Sequence, residues 1–180
     1  MPSIATSEYL IQKLKEQLSE ENRSTFTVRD LINCSSLSRS TIYRNFPGGM
    51  IDLYKETFQR EVVDVIVNKS LDWNQAVERF VDYIADHKTL CINLYRLSSH
   101  EQRRIHTKEL IKYFFAEFLK KQYNHKKVLQ ILEKYRDEVD FLAGGLSYQL
   151  ETWFKDDLRT SPEAIISKLR FCYQLVLDTI

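Results

Sequence analysis

Two helix starts fall within a dozen residues of each other in Thr27 to Phe46, TVRDLINCSSLSRSTIYRNF, and that spacing leaves room for little besides two short helices joined by a tight turn. Thr27 has the side chain of an N-cap, able to accept from a first-turn amide, and Asp30 three residues on completes an acidic capping box. Phe26 before the cap and Leu31 beyond it form a hydrophobic staple. Leu37, Ser38 and Ile42 repeat the same grammar for the second helix. Pro47 cannot continue that helix, and Gly48-Gly49 supply the backbone freedom for a sharp change of direction.

Beyond this stretch, breakers are scarce. Four glycines and three prolines punctuate 180 residues, while long runs are rich in Leu, Ile, Lys, Glu and Gln, which argues for an all-α protein and against a sandwich or barrel. The hydrophobic share of 43% supports a sizeable core. A net charge of +1 does not announce a nucleic-acid binder, so the distribution of charge has to carry that argument. Cys34, Cys91 and Cys172 are too far apart for a zinc pattern, and an odd number of thiols is no disulfide framework. No secretory leader or membrane-length apolar run is legible, so a soluble, cytoplasmic protein is expected.

Helical periodicity continues on both sides of the opening stretch. Leu10, Leu14 and Leu18 mark a first helix over about Ser7 to Glu20, and with Val28, Leu31, Ile32, Ile42 and Phe46 they predict a three-helix mini-core. Leu53, Tyr54, Phe58, Val62, Val65 and Ile66 predict a long helix over 50–69, read as the bridge between an N-terminal domain, 1–49, and a larger C-terminal one, 50–180. Further helices are expected around Trp73 to Ile84, Leu90 to Leu97 and Ile105 to Leu119, with Tyr123 to Lys127 a loop and Val128 to Leu132 either a separate turn or an early start of the next helix. Val139 to Lys155 carries Leu142, Leu146, Leu150 and Trp153 on one face, with Gly144-Gly145 in its middle; two mid-helix glycines cost roughly 1 kcal/mol each, which calls for the close approach of another helix. Ser161-Pro162 opens a last helix with Ile165, Leu169, Cys172 and Val176 on one face. These two adjacent apolar faces predict a dimer interface of Leu142, Leu146, Leu150, Trp153, Ile165, Leu169, Cys172 and Val176.

A helix that reads DNA must expose side chains able to hydrogen-bond base edges, flanked by groups that grip phosphates. The second helix of the opening stretch offers Arg39, Ser40, Thr41, Tyr43, Arg44 and Asn45, and Leu31 to Ile51 contains two arginines and no acidic residue. The segment TVRDLINCSSLSRSTIYRNFPGG…DLY resembles the DNA-binding domain of TetR-family transcriptional regulators, whose usual pattern is T-V-R-x-I-A-x-x-A-G-V-S-x-x-T-x-Y-x-x-F followed by K-x-x-L. The likeness covers about residues 7 to 69, and Tyr43 and Phe46 are its specific part. FLAGGLSYQLETWFKDDLRTSPEAI is similar to a C-terminal pattern in one branch of those regulators.

The resemblance implies a TetR-like fold of about nine helices, a three-helix N-terminal helix-turn-helix domain and a helical-bundle effector and dimerisation domain. It implies phosphate contacts from Thr27 and Tyr43, with Arg29, Ser40, Thr41, Arg44 and Asn45 placed to reach bases or nearby backbone; Arg39 joins them on the exposed face. Its two last helices would pair with a partner subunit. Three positions depart from the pattern: Ser36 stands at the turn glycine, Ile32 at the helix-2 alanine and Met50 at the helix-4 lysine. A weaker grip on phosphate and greater reliance on the dimer partner are the expected consequences. His87, Cys91, Tyr95, Arg96, His100, His106, Tyr113 and Phe114 lie in the middle helices where the family keeps an effector pocket, but none is assigned a ligand.

No paired-histidine metal motif, glycine-rich phosphate loop or nucleophile motif is present, so neither an enzyme nor a cofactor is expected. The sequence therefore points to a homodimeric transcriptional regulator on a palindromic double-stranded operator, most commonly a repressor released by an effector of unknown identity. The alternative is an interaction protein of the same fold, controlled by a protein partner, with weak or lost DNA binding.

Overall fold

The computed structural model describes residues 3–69 and 72–177, the side chains of 175–177 excepted. Among these residues every regular element is helical: α1 (Ile4–Glu20), α2 (Val28–Ser35), α3 (Arg39–Asn45), α4 (Met50–Phe58), a π-helical stretch (Gln59–Asp64), α5 (Val65–Lys69), α6 (Trp73–Asp86), α7 (Lys88–Leu97), α8 (His100–Gln122), α9 (His125–Lys134), α10 (Arg136–Lys155) and α11 (Pro162–Leu177). They form two compact units, one holding the residues up to Glu61 together with His87–Ser99, the other Val62–Asp86 and the chain from His100 onward.

The first unit is built on α1. Leu10, Leu14 and Leu18 are wholly buried against Leu31 of α2, Ile42 of α3 and Leu53 of α4, and each such leucine contributes about 1.5–3 kcal/mol by leaving water. Leu90 of α7 joins this core, a contribution the periodicity of the N-terminal segment could not disclose. The cap between α2 and α3 is Ser36, at φ 55° and ψ 21°, a left-handed conformation in which its N–H donates to the Ile32 carbonyl at 2.9 Å. A non-glycine residue there costs about 1–2 kcal/mol. Gly49, at φ 66°, starts α4 in a backbone conformation that side chains avoid.

In the second unit α10 packs against both α8 and α11, and α11 against α6. Trp73 of α6 stacks on Tyr173 of α11, ring centroids 4.4 Å apart and 12° between planes. Tyr123 to Lys127 is not the loop expected from its polar residues. Asn124 is an N-cap whose side chain accepts from the Lys127 N–H at 3.0 Å, and α9 follows with Val128 and Ile131 buried. At the other end of α10, the Asp157 N–H donates to the Phe154 carbonyl and the Leu158 N–H to the Trp153 carbonyl, with Asp157 left-handed: a Schellman ending achieved without glycine. Trp153 Nε1 donates to the Thr160 carbonyl at 2.9 Å and fixes the turn into α11.

Gly144 and Gly145 are not explained by a neighbouring helix of this chain. Among the described residues, nothing outside the helix's own turns lies within 4 Å of where a Cβ would stand at either position.

Candidate nucleic-acid interface

Local chemistry starts both helices of the helix-turn-helix. The Thr27 N–H donates to Asp30 Oδ2 at 2.8 Å, its hydroxyl donates to the same oxygen at 2.8 Å, and the Asp30 N–H donates back to Thr27 Oγ1 at 3.4 Å. These bonds from Thr27 hold the Asp30 carboxyl below its ordinary range. At α3 the Ser38 hydroxyl oxygen accepts from the Thr41 N–H at 3.2 Å and lies 2.9 Å from both Ser40 Oγ and Thr41 Oγ1.

The frame is pinned at three further points. Tyr54 of α4 is buried, its hydroxyl pushed up to about 12 by that burial, and it donates to the Phe26 carbonyl at 3.1 Å, fixing the approach to α2. Tyr9 of α1 donates to the Ser35 carbonyl at 3.1 Å, fixing the exit from α2. At the end of α3, Asn45 Oδ1 accepts the Ser3 N–H at 2.9 Å and the Ser7 hydroxyl at 3.4 Å, while its Nδ2 donates to the Thr41 carbonyl at 2.8 Å. Asn45 thus caps α1 from α3.

On this frame the expected contact residues divide. Arg39, Ser40, Tyr43 and Arg44 are exposed along α3, and Thr27 and Arg29 are exposed at the start of α2. Thr41 is half-buried and tied to Ser38. Asn45, expected among the contact residues from its place on the second helix and from the family resemblance, is buried with its amide engaged on three sides. The Arg39 guanidinium stands 5.7 Å from the Tyr43 ring centroid, within cation–π range, so these two are presented together. The Tyr43 ring in turn lies against Gly49, where a Cβ would come within 3.4 Å of it. Burial raises the Cys34 thiol pKa, which suits a small packed side chain better than a reactive thiolate.

Most of the residues expected at a dimer interface take part in the packing of one copy. Leu142, Leu146, Leu150, Trp153, Ile165 and Leu169 are buried within the second unit itself, because α10 and α11 turn those faces toward α8 and α6. Cys172 is half-buried, and the side chain of Val176 lies outside the described residues. Among the described residues, the large apolar side chains that α10 and α11 leave exposed are Phe141 (73%), Tyr148 (66%) and Phe171 (65%). Their signal in the sequence was a pair of aromatics seven residues apart with Gly144-Gly145 between them.

Among the described residues no group of three or more His, Cys, Asp or Glu is placed to hold a metal ion, and no helix is long and apolar enough to cross a membrane. An all-helical chain with a capped helix-turn-helix and an exposed basic face on its second helix is of the class that includes many regulators of transcription. The family model described as a transcriptional regulator C-terminal region, of the TetR group, matches residues 72–172, from the start of α6 into α11. The match covers more than half of the chain, which belongs to the TetR family of transcriptional regulators. No curated protein matches it.

Proposed function

We propose that the protein acts in the cytoplasm as a homodimeric repressor, binding a palindromic double-stranded operator through α2 and α3 of each protomer and released by an effector held in the C-terminal part. Residues 1–49 would carry the DNA contacts and 50–180 the effector and dimer functions, with 50–69 between them. The observation that carries the reading is the exposed row Arg39, Ser40, Tyr43 and Arg44 on a helix whose frame is tied at Ser3, Phe26 and Ser35. Arg44 is the base-reading candidate, and Arg39 with Tyr43 grips phosphate.

Dimerisation is supported by the exposed Phe141, Tyr148 and Phe171. Apolar rings this exposed on neighbouring helices fit an interaction face. Gly144 and Gly145, open to solvent-side space between Phe141 and Tyr148, would let a partner helix approach closely. Two half-sites then require recognition helices about 34–36 Å apart, and an effector that favours another spacing lowers operator occupancy.

A gel-shift titration against the DNA flanking the protein's own gene tests the reading. Salt-sensitive binding to an inverted repeat is expected; no binding at low salt would overturn it.

A further inference from the structure

Between the C-terminal end of α8, the length of α9 and the end of α11 lies a cleft of about 440 Å³, within the size range of small-molecule sites. Its floor is made by Phe115, Phe118 and Ile131, all buried, with the Tyr173 ring beside them. That ring is held by its stack on Trp73 and by an edge-on contact with Phe115 at 6.4 Å, so it presents a fixed aromatic surface. The rim carries Lys127 and Lys134, both exposed, and no carboxylate is among the described residues that line the cleft. Lys127 stands in the first turn of α9, where its backbone N–H donates to Asn124 Oδ1 at 3.0 Å, and Lys134 Nζ donates to Tyr135 Oη at 2.8 Å with further donors left for a ligand. Residues 120–134 hold five lysines against one glutamate, which sets a positive field over an apolar floor. By contrast, the apolar void bounded by α6, α8, α10 and α11 is about 40 Å³, room for a water and not for an organic molecule.

We propose that the α8–α9–α11 cleft binds a flat, amphipathic organic acid, its apolar body against Phe118 and Tyr173 and its anionic group on Lys127 and Lys134. An apolar floor alone would take any hydrophobic molecule. Two lysines seven residues apart along α9, with no acid among the described lining residues to neutralise them, select the anion through charge-assisted hydrogen bonds. This gives the effector of the proposed repressor a place and a chemical class, and in that respect rests on that reading.

Binding is therefore measured first on the free full-length protein, by calorimetry, with naphthoate and its uncharged isostere naphthamide as probes. Naphthoate is expected to saturate one site per chain and to bind about tenfold more tightly than the amide. Lys127→Met with Lys134→Met should erase that preference, and Ile131→Trp, which fills the floor, should abolish binding of both probes. Gln130→Trp at the exposed rim repeats the blocking test if Ile131→Trp does not fold. No saturable naphthoate binding, equal affinity for acid and amide, or a preference that survives the double lysine replacement would each overturn the site. Naphthoate that binds the free protein and dissociates it from DNA supports the effector role; binding that leaves the DNA complex intact overturns that role and leaves the site standing. Failure to bind DNA at all is read in the gel shift and does not touch the calorimetry.

Discussion

Asn93 Oδ1 accepts the backbone N–H of Arg23 at 2.8 Å, across 70 residues of sequence. From the same wholly buried side chain, Nδ2 donates to the Leu18 carbonyl at 2.8 Å and to the Glu21 carbonyl at 2.7 Å. The end of α1 and the link to α2 are therefore capped from α7. Asn93→Leu keeps the volume but leaves an N–H and two carbonyls without their partner. A loss of about 3 kcal/mol is expected in urea denaturation, since each stranded buried group costs about 1–3 kcal/mol. A loss below about 0.5 kcal/mol would mean that water replaces the cap.

Adjacent residues at the end of α3 are expected to fail in different ways. Arg44→Ala should weaken operator binding by about 1–3 kcal/mol per protomer while the thermal midpoint stays put, as for a base-reading side chain on the surface. Asn45→Ala should lower stability by about 1–3 kcal/mol because it frees the Ser3 N–H and removes the tie between α3 and α1. Gel shifts and thermal melts of the two variants check the division; equal effects in both assays would refute it.

The dimer face is tested by a contrast within α10. Phe141→Asp or Tyr148→Asp should give folded monomers in sedimentation, because the new charge stands on an exposed ring's position. Leu146→Asp should instead unfold the second unit, since Leu146 is 2% exposed and a carboxylate there has no partner. Dimers that persist in both surface variants would move the interface off this face.

Ser36→Gly should raise stability by about 1 kcal/mol, read as a higher urea midpoint at unchanged slope. The left-handed backbone at φ 55° is strained for serine and ordinary for glycine, and the gain is trimmed by glycine's larger unfolded-state entropy. A lower midpoint would show that the serine hydroxyl contributes more than the strain removes.

Much of this architecture is written in short-range chemistry. Thr27 with Asp30, and Ser38 with Thr41, cap helices through atoms no more than three residues apart, so their sequence pattern alone predicts the two helix starts of the helix-turn-helix. Pro47 and Gly49 end and restart the chain for equally local reasons. Asn124 obeys the same rule, and its polar neighbours hid it: Tyr123 to Lys127 reads as loop until the cap is recognised as the start of α9.

Tertiary structure alone decided what each helical face meets. Apolar residues at helical spacing announce that a face is buried, not whether its cover is this chain or another, and so Leu142, Leu146, Leu150 and Trp153 read as an interface, while within one copy they lie buried in the second unit. The faces left open carry Phe141, Tyr148 and two glycines. Asn45 shows the same limit for polar groups. Its sequence position puts it on the second helix of the helix-turn-helix, but its Oδ1 accepts the Ser3 N–H, 42 residues away in sequence, and the side chain is buried. A hydrogen-bond partner that distant has no local signature, because only packing α1 across α3 brings donor and acceptor together.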